Sequence, residues 1–110
     1  MKFLPVNKEQ IPVNMSIVVE GKQYELIFNY NSSYDFFTVT LTKDGVALVV
    51  GEKMVLDRPL FETIISPFKE TYFIPMDLSS QEQEISYENF GDKIFIWVFV
   101  IRDGQVIEDE

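Results

Sequence analysis

Within the stretch DFFTVTLT at residues 35–42, apolar and polar residues alternate strictly from Phe37 to Thr42. The aromatic and aliphatic side chains share one side of an extended strand, and the threonines share the other. This period of two predicts a strand that is buried on one face only, as in an antiparallel sheet. Asp44-Gly45 follows as a hairpin turn, and the apolar run at residues 46–50 returns as the partner strand.

The same alternation, bounded by turn residues, recurs through most of the chain. Residues 13–20 and 23–30 flank a glycine turn and predict a first hairpin, and residues 94–101 predict the last strand. Residues 72–78 contain Pro75, which cannot donate a ladder hydrogen bond. This strand is therefore expected at an edge or a bulge.

The predicted fold class is all-β, a small antiparallel β-sandwich or a partly open β-barrel. Helical periodicity does not extend beyond about two turns, so at most one short helical turn is expected, near residues 60–65. The predicted organisation has three parts. These are an extended N-terminal arm at residues 1–12, a single β domain at 13–101 and an acidic C-terminal tail at 102–110.

The chain of 110 residues contains no cysteine and no histidine. These absences argue against a disulfide framework, the usual zinc sites, and catalysis that needs a thiol or an imidazole. The formal net charge is −9, so a phosphate backbone or an anionic membrane would repel the chain. We expect no metal, no cofactor, no nucleic-acid or membrane binding, and no enzymatic activity. With no signal-peptide run, the protein is expected to be soluble and made without export.

Carboxylates are the abundant reactive groups of this sequence. A pair suited to glycoside hydrolysis needs only two acids at the right separation. Four candidates for such a pair are Glu62, Asp77, Glu88 and Asp92. Because the chain has 18 acidic residues, some pair arises by chance, and nothing in the spacing selects one. Solvated surface positions are the preferred interpretation.

The final strand, IFIWVFVI at residues 94–101, is apolar on both faces. One face is formed by Ile94, Ile96, Val98 and Val100. The opposite face is formed by Phe95, Trp97, Phe99 and Ile101. One set must lie in the core of the domain, and the larger area of the rings favours the aromatic set. The other set is covered either by the chain itself, through the N-terminal arm or residues 60–65, or by a partner protein. Each set is therefore a candidate interface.

An ordered series of turn and strand motifs runs through residues 11–100. The motifs are Gly21-Lys22-Gln23-Tyr24-Glu25-Leu26, Tyr30-Asn31, Phe36 to Gly45, Val46 to Gly51, Val55 to Leu60, and Asn89-Phe90-Gly91 before the last apolar strand. This series resembles the baseplate plug proteins of contractile-tailed phages. The chain departs from that family at Tyr30 and at Phe36-Phe37, where the family often has tryptophan.

The resemblance implies a plug-like structural component of a phage or prophage-derived tail, located in the baseplate of the virion tail. Such a protein would contact hub or spike proteins near the end of the tail tube, and would be assembled in the cytoplasm of the bacterial host. A homo-oligomer is compatible with this role. The alternative function is a ligand- or carbohydrate-binding β-sandwich module, for which Tyr34, Tyr72 and Tyr87 are the candidate aromatic contacts.

Overall fold

The computed structural model describes residues 2–62 and 67–107 of the chain. A short 3-10 helix spans Lys8–Gln10. Every other regular element in these residues is a strand: β1 (Lys2–Phe3), β2 (Val13–Val19), β3 (Lys22–Asn31), β4 (Phe36–Lys43), β5 (Val46–Lys53), β6 (Thr71–Asp77), β7 (Ile94–Arg102) and β8 (Gln105–Ile107).

The strands form two antiparallel sheets. In sheet A, β7 lies between β1 and β6 and also pairs with β8, and in sheet B the order is β2-β3-β4-β5. The inner faces of both sheets contribute to one hydrophobic core, which includes Phe28 and Phe37 from sheet B and Phe73 and Ile96 from sheet A. The described strands do not close into a barrel. The all-β prediction is confirmed.

Two-residue turns connect the hairpins where the sequence predicts them. Asp44 and Gly45 both have positive φ, 52° and 77°, which suits the right-handed twist of the strands that they join. Asp103 and Gly104 repeat the same geometry with φ of 53° and 77°. This second turn brings residues 105–107 back as β8, beside the end of β7.

Pro75 lies in β6 at the edge of sheet A, as its missing N–H predicts. The free side of this strand is occupied by a loop. Asp57 donates its backbone N–H to the carbonyl oxygen of Pro75, and Leu60 donates to that of Phe73, both at 2.7 Å. The loop therefore donates to carbonyl oxygens that would otherwise accept from the N–H groups of a neighbouring strand.

Two short strands, β1 and β8, lie outside the predicted domain bounds of 13–101. The arm at residues 1–12 contains both β1 and the 3-10 helix, and its apolar residues Leu4 and Val6 pack against the core. The three-part division of the chain stays a prediction. Half of the segment 60–65, where a helical turn is expected, lies outside the described residues, namely residues 63–65.

The orientation of β7 differs from the sequence-based expectation. Ile94 and Ile96 are fully buried between the sheets, and Val98, on the same side, packs against the core. The aromatic set therefore points outward, so the expectation that it fills the core is wrong. Rings from other elements, such as Phe28 and Phe73, already fill the space between the sheets. The slimmer aliphatic side chains of β7 fit against them.

Candidate interaction face

The outer face of sheet A is a continuous apolar surface. We call it the aromatic face. Its side chains come from four strands and are all at least partly exposed: Phe3, Tyr72, Ile74, Met76, Phe95, Trp97, Phe99, Ile101 and Val106. The alternation of each strand places these residues on the side opposite the core. None of them carries a charge.

Cross-strand pairing brings the rings of the aromatic face together. Phe3 lies opposite Trp97 in the ladder, and its ring centroid is 4.5 Å from that of Phe95 and 5.2 Å from that of Trp97. Phe3 is still 42% exposed. On the other side of β7, Tyr72 lies opposite Phe99. The rings therefore form one patch rather than isolated surface aromatics.

The outer face of sheet B shows what a solvated face looks like in the same molecule. Strand β4 presents Thr38, Thr40 and Thr42 outward, and β3 presents the exposed side chains of Glu25 and Asn29. Antiparallel sheets with one solvated face normally have this polar composition. Sheet B also exposes the aliphatic side chains of Val18, Leu48 and Val50, so the difference is that the cross-strand cluster of rings lies on sheet A.

Trp97 occupies the middle of the aromatic face. Its indole Nε1 is buried and has no acceptor among the described residues. Buried donors in folded proteins are almost always hydrogen-bonded, so this unpaired group marks the position as incomplete in the isolated chain.

Ion pairs lie near both ends of β7. Arg102 and Glu70 approach to 3.1 Å at its C-terminal end, and Lys93 and Glu82 approach to 3.8 Å just before its start. Each pair combines one basic and one acidic group. These two pairs themselves add no net charge at the ends of β7, although the whole chain carries a charge of −9.

Of the four carboxylates considered as catalytic candidates, Glu62, Glu88 and Asp92 are exposed, and Asp77 organises a loop. Asp77 accepts hydrogen bonds from the backbone N–H groups of Ser79, Gln81 and Glu82, and from the Ser79 hydroxyl. The Ser79 hydroxyl bond, with these backbone bonds, holds the pKa of Asp77 well below its usual range despite some desolvation. A general acid needs a raised pKa, so Asp77 is suited to organising a loop and not to proton donation.

Glu20 joins the two sheets in a similar way. Its carboxylate accepts from the backbone N–H groups of Lys69, Glu70 and Thr71 at 2.8–3.1 Å. Partial burial alone would raise the pKa of Glu20, but these bonds outweigh it and the pKa is lowered. The turn between β2 and β3 is thereby fixed to the start of β6.

Asn89 explains the Asn-Phe-Gly motif before the last strand. Its side-chain amide donates to Glu82 and to the backbone carbonyl of Glu84, and its Oδ1 accepts from the N–H of Ser86. Phe90 enters the core at 2% exposure. Sequence reasoning identified this motif as turn chemistry and missed the role of the buried asparagine.

The three tyrosines proposed for ligand binding do not share one surface. Tyr72 belongs to the aromatic face, whereas Tyr87 packs against the rings of Tyr30 and Phe37. Tyr34 is 80% exposed beside a cleft of about 230 Å³. These three tyrosines therefore do not form one common stacking surface for a ligand.

Asp77 offers a test of the loop-organising role. We expect Asp77→Asn to lower the Tm at neutral pH, because asparagine accepts with one oxygen and carries no charge. The folded-state pKa lies below the unfolded value of about 3.9, so the carboxylate stabilises the fold fully above that pH. Its contribution is lost as the pH falls further, and the Tm difference between variant and wild type should narrow below about pH 4.

The control for this prediction is Asp92→Asn, which changes an exposed acid. Thermal melts followed by circular dichroism at several pH values compare the three proteins. Equal Tm values for wild type and Asp77→Asn at neutral pH would contradict the role given to Asp77.

The described residues contain no cluster of three or more acids that could hold a metal ion. Within the same residues, no helix is long and apolar enough to cross a membrane. The main functional feature is an uncharged aromatic face on a two-sheet domain. An apolar face of this kind is typical of a protein that contacts other proteins.

The chain belongs to a phage baseplate plug family. A family described as "Cyanophage baseplate Pam3 plug gp18" matches residues 1–101. The resemblance seen in the sequence is thereby confirmed, and the protein is a structural component of the baseplate in the virion tail that associates with other baseplate proteins. No curated protein matches the chain. No solved structure matches it either.

Proposed function

We propose that this plug protein contacts hub or spike proteins near the end of the tail tube through its aromatic face. The observation that carries the proposal is the outward orientation of Phe95, Trp97 and Phe99 on a face without charge. An apolar patch of a few hundred Å² on a protein surface is often functional, and contact with another protein is the usual role. Aromatic side chains are also enriched at the centres of protein interfaces, among the residues that contribute most of the binding energy.

The dimensions of the aromatic face suit one neighbouring protein. A strand of nine residues is about 30 Å long, and three strands side by side are about 15 Å wide, which gives a footprint of roughly 450 Å². A standard interface buries about 800 Å² on each partner. The face would thus supply the apolar centre of such an interface, with polar loops around it.

The neighbouring protein would also supply a hydrogen-bond acceptor for the indole N–H of Trp97. A carbonyl or carboxamide oxygen brought close to the indole N–H would give this buried donor an acceptor after a small movement of the surrounding rings. The two ion pairs at the ends of β7 themselves add no net charge there.

The remaining surface is strongly acidic, in keeping with the charge of −9. Acidic surfaces near the tube repel DNA, so we propose that the genome can pass without adhering to the plug. The absence of cysteine fits assembly in the reducing cytoplasm of the bacterial host.

Photo-crosslinking tests the proposed contact. Phe99 is replaced by p-benzoylphenylalanine in a chain that is incorporated into tails, and mass spectrometry identifies the crosslinked proteins. We expect hub or spike proteins. The matched control places the same group at Thr38 on the outer face of sheet B. Crosslinks to hub or spike proteins from Thr38 and none from Phe99 would contradict the assignment of the face.

A further inference from the structure

The N-terminal arm lies along the edge of β7 that faces away from β6, and few contacts hold it there. Strand β1 has only two residues, which pair with Val98 and Trp97. The backbone N–H of Leu4 continues this ladder by donating to the carbonyl oxygen of Ile96 at 3.0 Å. Each of residues 2–12 keeps part of its surface exposed. Segments with so little burial open locally at a low free energy, without unfolding of the domain.

Strand β6, on the other side of β7, is attached far more strongly. All seven of its residues pair with β7, and Phe73 and Pro75 are buried. Because this ladder does not involve the arm, the arm can open while β6 and β7 stay paired.

One side chain fastens the 3-10 helix of the arm to the domain. The Lys8 ammonium donates to the backbone carbonyl oxygen of Tyr87 and, at 3.2 Å, to that of Glu88. The same ammonium lies 4.7 Å from the centroid of the Tyr87 ring. Hydrogen bonds from a charged donor are stronger than those from a neutral one, and the ring attracts the cation as well. Lys8 therefore supplies a specific anchor, which the partly buried apolar side chains of the arm do not.

The site that receives Lys8 is fixed by the rest of the domain. Asp35 Oδ1 accepts from the backbone N–H of Tyr87 at 2.8 Å and from the hydroxyl of Tyr30 at 2.7 Å. The rings of Tyr87 and Tyr30 also pack together, with centroids 5.0 Å apart. None of these contacts involves the arm, so the receiving carbonyl groups do not depend on the arm being docked.

We infer that the N-terminal arm is a strap that opens and closes on the domain, and that Lys8 sets the balance between the two states. When the strap is closed, the centroid of the Phe3 ring lies 4.5 Å from that of Phe95 and 5.2 Å from that of Trp97 on the aromatic face. When it is open, the face loses this ring. A protein bound to the aromatic face therefore holds the strap closed, because it contacts Phe3 only in that state. This last step rests on the proposed function, whereas the strap itself does not.

Amide hydrogen exchange measures the opening of the strap. The N–H of Leu4 bonds to Ile96 only when the strap is closed, whereas that of Leu26 lies in the central ladder of sheet B. We expect Lys8→Met, which keeps the apolar stem, to speed exchange at Leu4 at least roughly tenfold and to leave the rate at Leu26 within about twofold. The matched control is Lys53→Met, which removes an ammonium 5.0 Å from the ring centroid of Phe36, outside the arm.

Nuclear magnetic resonance on the isolated chain gives the exchange rates of both amides. Unchanged exchange at Leu4 in Lys8→Met, or the same acceleration in Lys53→Met, would overturn the inference. Equal acceleration at Leu4 and Leu26 would also overturn it, because the whole domain would then be opening rather than the strap.

Hydrogen exchange of assembled tails, read by mass spectrometry, tests the coupling to the aromatic face. We expect the peptide that contains the arm to exchange at least roughly tenfold more slowly in tails than in the isolated chain, because a bound neighbour stabilises the closed state. Unchanged exchange of this peptide in tails, with Phe99 still crosslinked to hub or spike proteins, would refute the coupling. A response of Leu4 to Lys8→Met without any such crosslink would support the strap and count against the proposed function.

Discussion

Replacing Ile96 and Val98 together by serine is expected to unfold the isolated protein. Ile96 is fully buried, and Val98 packs against the same core from the neighbouring inward position of β7. Truncating a buried aliphatic residue costs about 2–5 kcal/mol, and a hydroxyl without a partner adds about 1–3 kcal/mol. The total is a large share of the roughly 5–15 kcal/mol that stabilises a domain of this size.

The control replaces two exposed valines of β5, Val46 and Val50, by serine. These side chains are 62% and 76% exposed, so the control loses little buried surface. Far-UV circular dichroism and urea titration measure folding for both variants. A cooperative transition of Ile96→Ser/Val98→Ser near the wild-type midpoint would show that this side of β7 does not anchor the core.

The strands of sheet B were predictable from local pattern alone. In β4, Phe37, Val39 and Leu41 alternate with threonines. The alternation predicts the strand, and the polar hydroxyl groups of the threonines predict which of its sides faces solvent. Positive φ at Asp44 and Gly45 follows from a two-residue hairpin. Pro75 likewise indicated an edge because its missing donor is a local property.

The direction of β7 was not predictable, because both of its faces are apolar and period two does not say which face is inside. The choice depends on how much volume other elements bring to the core. Residues such as Phe61 and Phe90, from loops outside the strands, fill part of it. Ring area favoured the wrong set because it ignores the space left by these distant residues.

Little in the amino-acid sequence indicates which side chains organise the loops. Asp77 and Asn89 are a common acid and a common amide in a chain with 18 acidic residues. Their donors become neighbours only when residues 79–93 have folded around them. Strand β8 was assigned to an acidic tail because charge dominates its short flanking sequence. The Asp-Gly dipeptide at residues 103–104, which forms the turn before β8, is the same turn chemistry as Asp44-Gly45.

Replacing Phe95 and Phe99 together by serine is expected to leave the protein folded and to abolish its incorporation into the tail. Both side chains point outward and are partly exposed, so their loss removes little of the core. At an interface the same rings would be fully buried, and hot-spot aromatics there contribute about 2 kcal/mol or more each when truncated. Loss of two such anchors corresponds to roughly a thousandfold weaker binding.

Far-UV circular dichroism and urea titration check that this variant is folded. The matched control is again Val46→Ser/Val50→Ser, which removes exposed apolar side chains from sheet B without touching the aromatic face. We expect the control to join the tail as the wild type does. This comparison separates the effect of losing the aromatic face from the effect of losing exposed apolar side chains elsewhere on the protein.

The most direct measurement is the amount of each variant in tails purified from a phage that lacks the corresponding gene and is complemented with the variant chain. Quantitative mass spectrometry of the tails, with folding verified in solution, gives the incorporated fraction. The account predicts wild-type incorporation of Val46→Ser/Val50→Ser and at least roughly a hundredfold loss for a folded Phe95→Ser/Phe99→Ser chain. Normal incorporation of the folded Phe95→Ser/Phe99→Ser variant would contradict the claim that the aromatic face attaches the plug to the baseplate.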